Sequence, residues 1–76
     1  MTPEQLLGWY LRNLRLNHGW TIDELSKKIG ISRTYLNQIE LGQRNCPIKV
    51  ISKLASSFNL SVSNILDYSG YSKAVR

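Results

Sequence analysis

Neither an intramolecular disulfide nor a metal cluster can be assembled from this sequence, which holds one cysteine, Cys46, and one histidine, His18. Apolar stretches are short, nowhere longer than the three residues Trp9 to Leu11, against the ~18 needed to cross a bilayer. No membrane partner is expected. With no basic and apolar leader opening the chain, the expected setting is the cytoplasm, and the Asn59-Leu60-Ser61 sequon reads as accidental. Strand signals are missing too: no run alternates apolar with polar residues, and no Asn-Gly or Gly-Asn pair marks a hairpin. Catalytic equipment is equally scarce. His18 has no neighbouring acid, no carboxylate pair is suitably spaced and no Gly-rich phosphate loop occurs, so neither an enzyme nor a cofactor is expected. Acids are also few, five against ten Lys and Arg; the net charge of +5 and pI near 9.7 favour a polyanionic partner.

What is present is helical. The 76 residues suffice for one domain, and a chain of this length buries only ~60% of the surface it exposes unfolded, so one small core is expected. Thr2, Pro3 and Gln5 supply a cap, a first-turn proline and a capping-box partner ahead of Leu7, Leu11 and Leu14. Thr21 and Glu24 form a second box, opening a helix with Ile22, Leu25 and Ile29 inward and Gly30 at its end. Ser32 caps a third helix over residues 33–41, which Gly42 closes. A fourth, from about Pro47 to Phe58, sets Ile51, Leu54, Ala55 and Phe58 on one face, and Ser61 caps a fifth holding Val62, Ile65 and Leu66. The fold class is therefore all-α, with a folded unit over residues 1–67. Residues 68–76 are expected to form a flexible or dimer-associated tail that frays unless a partner orders it.

The third helix carries two patterns at once. With Leu36 and Ile39 inward, Thr34, Asn37, Gln38 and Leu41 form the opposite stripe, flanked by Arg33 and Tyr35. Arg, Asn and Gln can each meet a base edge with two parallel hydrogen bonds, and Thr can bond a base or a phosphate or touch a thymine methyl. A face built for solubility alone would more usually carry Glu and Lys. The helix start also follows a tight turn at Gly30, which leaves its free backbone N–H groups suited to a phosphate. Glu40 behaves differently: the same wheel puts it beside Leu36 on the inward half, where an unpaired carboxylate is costly. Arg12 and Arg15 are both candidate partners. Lys49 and Lys53 share the outer face of the fourth helix, Lys49 being the better phosphate candidate, while Cys46 reads as a capping or semi-buried residue.

Between Leu7 and Leu66 the chain resembles the Cro/repressor-type (XRE) helix-turn-helix family. The likeness runs through "LGWYLRNLRLNHGWT", "TIDELSKKIGISRTYLNQIELGQRN" and "ISKLASSFNLSVSNIL", with Gly30, the apolar Leu25, Ile29, Ile31, Leu36 and Ile39, and the Glu40-x-Gly42 end in register. It implies a compact five-helix DNA-binding domain with its helix-turn-helix unit at residues 21–41 and a recognition helix at residues 33–41 in the major groove. By that resemblance Arg33, Thr34, Asn37 and Gln38 read bases, Tyr35 meets base or phosphate, and Ser32, Gln43, Arg44 and Asn45 contact the backbone. Arg15 would be the partner of Glu40. Two departures stand out: Ile22 replaces the usual Gln, which puts one phosphate contact in doubt, and Ser26 replaces the usual Ala. Within the family, "SRTYLNQIELGQRN" is most similar to restriction-modification controller proteins, small dimers acting on their own promoters.

A dimer is expected on physical grounds as well. One short recognition helix reads few base pairs, too few to stand out among ~10⁶ or more competing sites, whereas a symmetric pair doubles the contacts. Val62, Ile65, Leu66 and Tyr68, with Tyr71, form an apolar C-terminal surface larger than the core requires, and in the resembling family this region supplies the dimer contact. The same residues could instead complete the core. The expected function is a dimeric, sequence-specific transcription regulator on double-stranded DNA; the alternative is an antitoxin-like or adaptor module that grips a protein, toward which Ile22 and the tail tyrosines lean.

Overall fold

Six helices follow one another in the computed structural model, which describes residues 1–75: α1 (Pro3–Asn17), α2 (Ile22–Ile29), α3 (Arg33–Glu40), α4 (Ile48–Ser57), α5 (Val62–Tyr68) and α6 (Tyr71–Ala74). No strand occurs among the described residues, and Arg76, the end of the expected tail, lies outside them.

The helix starts follow from local chemistry. Thr2 and Gln5 bond reciprocally at 2.8 and 3.1 Å, Thr21 and Glu24 at 2.9 and 3.1 Å, and Ser61 and Asn64 at 3.2 and 3.0 Å, three capping boxes that satisfy otherwise orphaned N–H groups. The box at Thr21 also holds the Glu24 carboxyl below its ordinary range, through the backbone N–H of Thr21 first and its hydroxyl second. Ser32 caps α3 without a reciprocal partner, and α4 starts at Pro47 with no side-chain cap. Gly30 ends α2 in the left-handed conformation.

Packing then makes one core from Leu7, Leu11, Leu25, Ile29, Leu36, Ile39, Ile51, Leu54, Ala55, Phe58 and Ile65. Helix α1 packs against α3, α5 and α6; α2 packs against α3 and α4. The approach of α1 to α3 is close enough that a Cβ on Gly8 would collide with the carbonyl oxygens of Ile39 and Glu40. At the α1–α2 corner Trp20 stacks on Phe58 at 5.5 Å, with His18 at 4.7 Å on one side and the Lys28 ammonium 4.7 Å over the ring.

Three expectations change. Among the described residues there are six helices rather than five, because part of the segment expected to be a flexible or dimer-associated tail forms α6. Gly70, at φ 87°, turns the chain back, the Tyr71 N–H donates to Ser69 Oγ, and Tyr71 packs against the core beside α1. Ile65, expected at a dimer surface, is fully buried in the chain's own core. Helix α3 also ends one residue early, with Leu41 as its C-cap and Gly42 in a left-handed turn.

Candidate nucleic-acid interface

Two short helices and the turn between them position the candidate residues. Leu25, Ile29, Leu36 and Ile39 seal α2 against α3, so the opposite side of α3 is turned outward. Along it Arg33, Thr34 and Asn37 are exposed, and Tyr35 and Gln38 are half-buried at its edge. Leu41 ends the stripe, 48% exposed despite its apolar side chain. Two shallow hollows flank Thr34. One, of about 390 Å³, is lined by Ile22, Arg33, Thr34 and Asn37; the other, of about 410 Å³, by Ser32, Thr34, Tyr35, Gln38 and Arg44.

Ser32 Oγ accepts the Tyr35 N–H at 3.1 Å, which leaves its own O–H and the N–H groups of Arg33 and Thr34 without intrahelical partners. Such a helix start suits an anion. Arg44 lies with its guanidinium 5.5 Å over the Tyr35 ring, so a residue expected at the phosphates is held against one expected at the bases. Gln43 and Asn45 are exposed in the same loop, where the Gln43 N–H bonds the Gln38 carbonyl at 2.9 Å, and Lys49 is exposed on the first turn of α4. Cys46 packs partly buried beside them, and burial pushes its thiol up to about 12, which favours the protonated form at neutral pH.

Beneath the stripe, Arg15 and Glu40 meet in a fork. Arg15 Nε donates to Glu40 Oε2 at 2.8 Å and Nη2 to Oε1 at 3.0 Å, while Nη1 donates to the Trp20 carbonyl at 2.9 Å. Both side chains are almost wholly enclosed, so the pair ties α1 and the α1–α2 turn to the back of α3. Of the two arginines that polarity alone left open, the fold brings Arg15 to Glu40 and leaves Arg12 in solvent.

Asp23 was not among the expected site residues. Its carboxylate takes Lys27 at 3.2 Å and reaches Arg33, on the neighbouring helix, at 3.9 Å. The Asp23–Lys27 spacing of four is visible in sequence; the reach to Arg33 needs the angle between helices. Around the C-terminal helices Val62 and Leu66 are half-buried and Tyr68 is 63% exposed, against the enclosed Ile65. Among the described residues no group of three His, Cys, Asp or Glu could hold a metal ion, and no helix is long and apolar enough to cross a membrane.

Comparison with known proteins gives this geometry a setting. The helix-turn-helix family matches residues 11–65. The HTH-type transcriptional regulator SinR of Bacillus subtilis is 30% identical over 63 residues, covering 82% of this chain and 57% of SinR. A solved structure of SinR in complex with DNA superposes with a TM-score of 0.75 at 29% identity, covering 80% of this chain and 98% of that one. The restriction-modification controller protein C.AhdI from Aeromonas hydrophila gives 0.76 at 31% identity, over 80% of this chain and 92% of its own. The clp gene regulator ClgR from Corynebacterium glutamicum gives 0.86 at 25% identity, over 99% of this chain and 80% of its own. The chain spans little more than half the length of curated relatives such as SinR.

Proposed function

Because the chain belongs to the helix-turn-helix family, of the Cro/repressor (XRE) type, we propose that it is a sequence-specific, DNA-binding transcription regulator, cytoplasmic and acting as a homodimer on a near-palindromic operator. The observation that carries this reading is the outward stripe of α3. Thr34 and Asn37 stand free, Arg33, Tyr35 and Gln38 flank them, and the one carboxylate of the helix is turned inward onto Arg15. Laid in a major groove, such a helix presents its first turns to base edges while α2 crosses the backbone.

Arg33, Thr34, Asn37 and Gln38 then read bases, with Tyr35 reaching base or phosphate. Ser32, Gln43, Arg44, Asn45 and Lys49 hold phosphates and fix the register. An α3 of eight residues reads only a few base pairs, so a second copy supplies the other half-site, through Val62, Leu66 and Tyr68. The likeness to C.AhdI and the Arg33-Thr34-Tyr35 run support a narrower role as a restriction-modification controller protein acting on its own promoter.

Titration against DNA from just upstream of the coding region tests this. Thr34→Ala and Gln38→Ala should each weaken operator binding by ~1–3 kcal/mol and spare random duplex; equal losses on every duplex would overturn the base-reading roles. Arg44→Ala should instead weaken both duplexes alike and flatten the salt dependence.

A further inference from the structure

With Glu40 held by two N–H groups of Arg15, the guanidinium of Arg12, one turn earlier on α1, is exposed and has no ion-pair partner among the described residues. It stands at a hollow of about 380 Å³ where α1, the start of α2 and the end of α3 meet. Thr21, Ile22, Asn37 and Leu41 wall this hollow, and the mutually neutralised Arg15–Glu40 pair also lines it. Ile22 and Asn37 are shared with the neighbouring hollow beside Arg33 and Thr34, so the two depressions form one continuous surface along the reading face.

The electrostatics of that surface are one-sided. Its only carboxylate is already paired, its apolar walls Ile22 and Leu41 offer no side-chain donor, and Asp23 beyond the rim is engaged by Lys27 and Arg33. Within the hollow, Arg12 is therefore the one charged side chain without an ion-pair partner among the described residues. We infer that Arg12 binds a DNA phosphate beside the bases read by Asn37, which makes α1 part of the DNA-binding surface. This rests on the DNA-binding reading above. A planar guanidinium can offer two parallel N–H groups to a phosphate, and neutralising one phosphate of duplex DNA contributes about 0.9 to the slope of log affinity against log salt.

The whole chain, titrated into a labelled random-sequence duplex by fluorescence anisotropy over about 50 to 200 mM salt, measures that slope. Arg12→Gln should lower its magnitude by about 0.9 and weaken binding to random and operator duplexes alike, whereas Arg12→Lys, which keeps the charge, should hold the slope of the parent. Thermal melts of the three proteins should coincide, since Arg12 is exposed. An Arg12→Gln slope equal to the parent's, a loss confined to one duplex, or a Lys variant that behaves like Gln would overturn the assignment while leaving the DNA-binding reading in place. A parent protein that binds neither duplex would overturn both.

Discussion

Arg15 and Glu40 show how a single residue pair can decide what a helix face is for. Enclosed together, they stabilise the fold only as a pair, because either one alone is a desolvated charge. Glu40→Ala should lower stability in urea titrations by ~3–5 kcal/mol, and replacing both residues with apolar ones of similar volume should recover most of that loss. The inward placement of Glu40 was legible from its position beside Leu36 on the helical wheel. Its partner was legible in principle: Leu7, Leu11 and Arg15 lie four apart on one strip of α1, and the first two are core. Ile65 was not legible in the same way. An apolar period marks burial, yet it does not say whether the covering surface comes from the same chain or from a second copy. The contact of Asp23 with Arg33 was hidden for a related reason, since it depends on how two helices cross.

Single helices were the most readable level, because their signals are local. Thr2, Thr21, Ser32 and Ser61 sit at the starts they were expected to cap, and three of them make full boxes. Helix α6 escaped because four residues are too few for an apolar period; what holds it is the docking of Tyr71 and the turn at Gly70. Gly8 carried no sequence signal either, since a glycine inside α1 reads as a weak point for the helix. Propensity alone predicts that Gly8→Ala stabilises α1 by about 1 kcal/mol. The fold predicts the opposite sign, because the added Cβ meets backbone oxygens that no rotamer change can move. The variant should lose ~1–3 kcal/mol in thermal or urea unfolding, as α1 is pushed away from α3.

At the scale of the whole molecule, the described residues extend 33 Å along their longest axis, and the proposed homodimer would bring two copies of α3 to one operator. If α5 provides the contact, Tyr68→Glu should shift the protein toward monomer in sizing chromatography and weaken operator binding, with little change in unfolding, since that side chain is 63% exposed. A fold of this size also carries its own optical probe. Trp20 clusters with His18 and Phe58, all three rings in mutual contact, beneath Lys28, where α2, the end of α4 and the α1–α2 corner converge, whereas Trp9 is 61% exposed. In a Trp9→Phe protein, tryptophan fluorescence would come from Trp20 alone and would report the separation of those three parts of the chain without any attached dye.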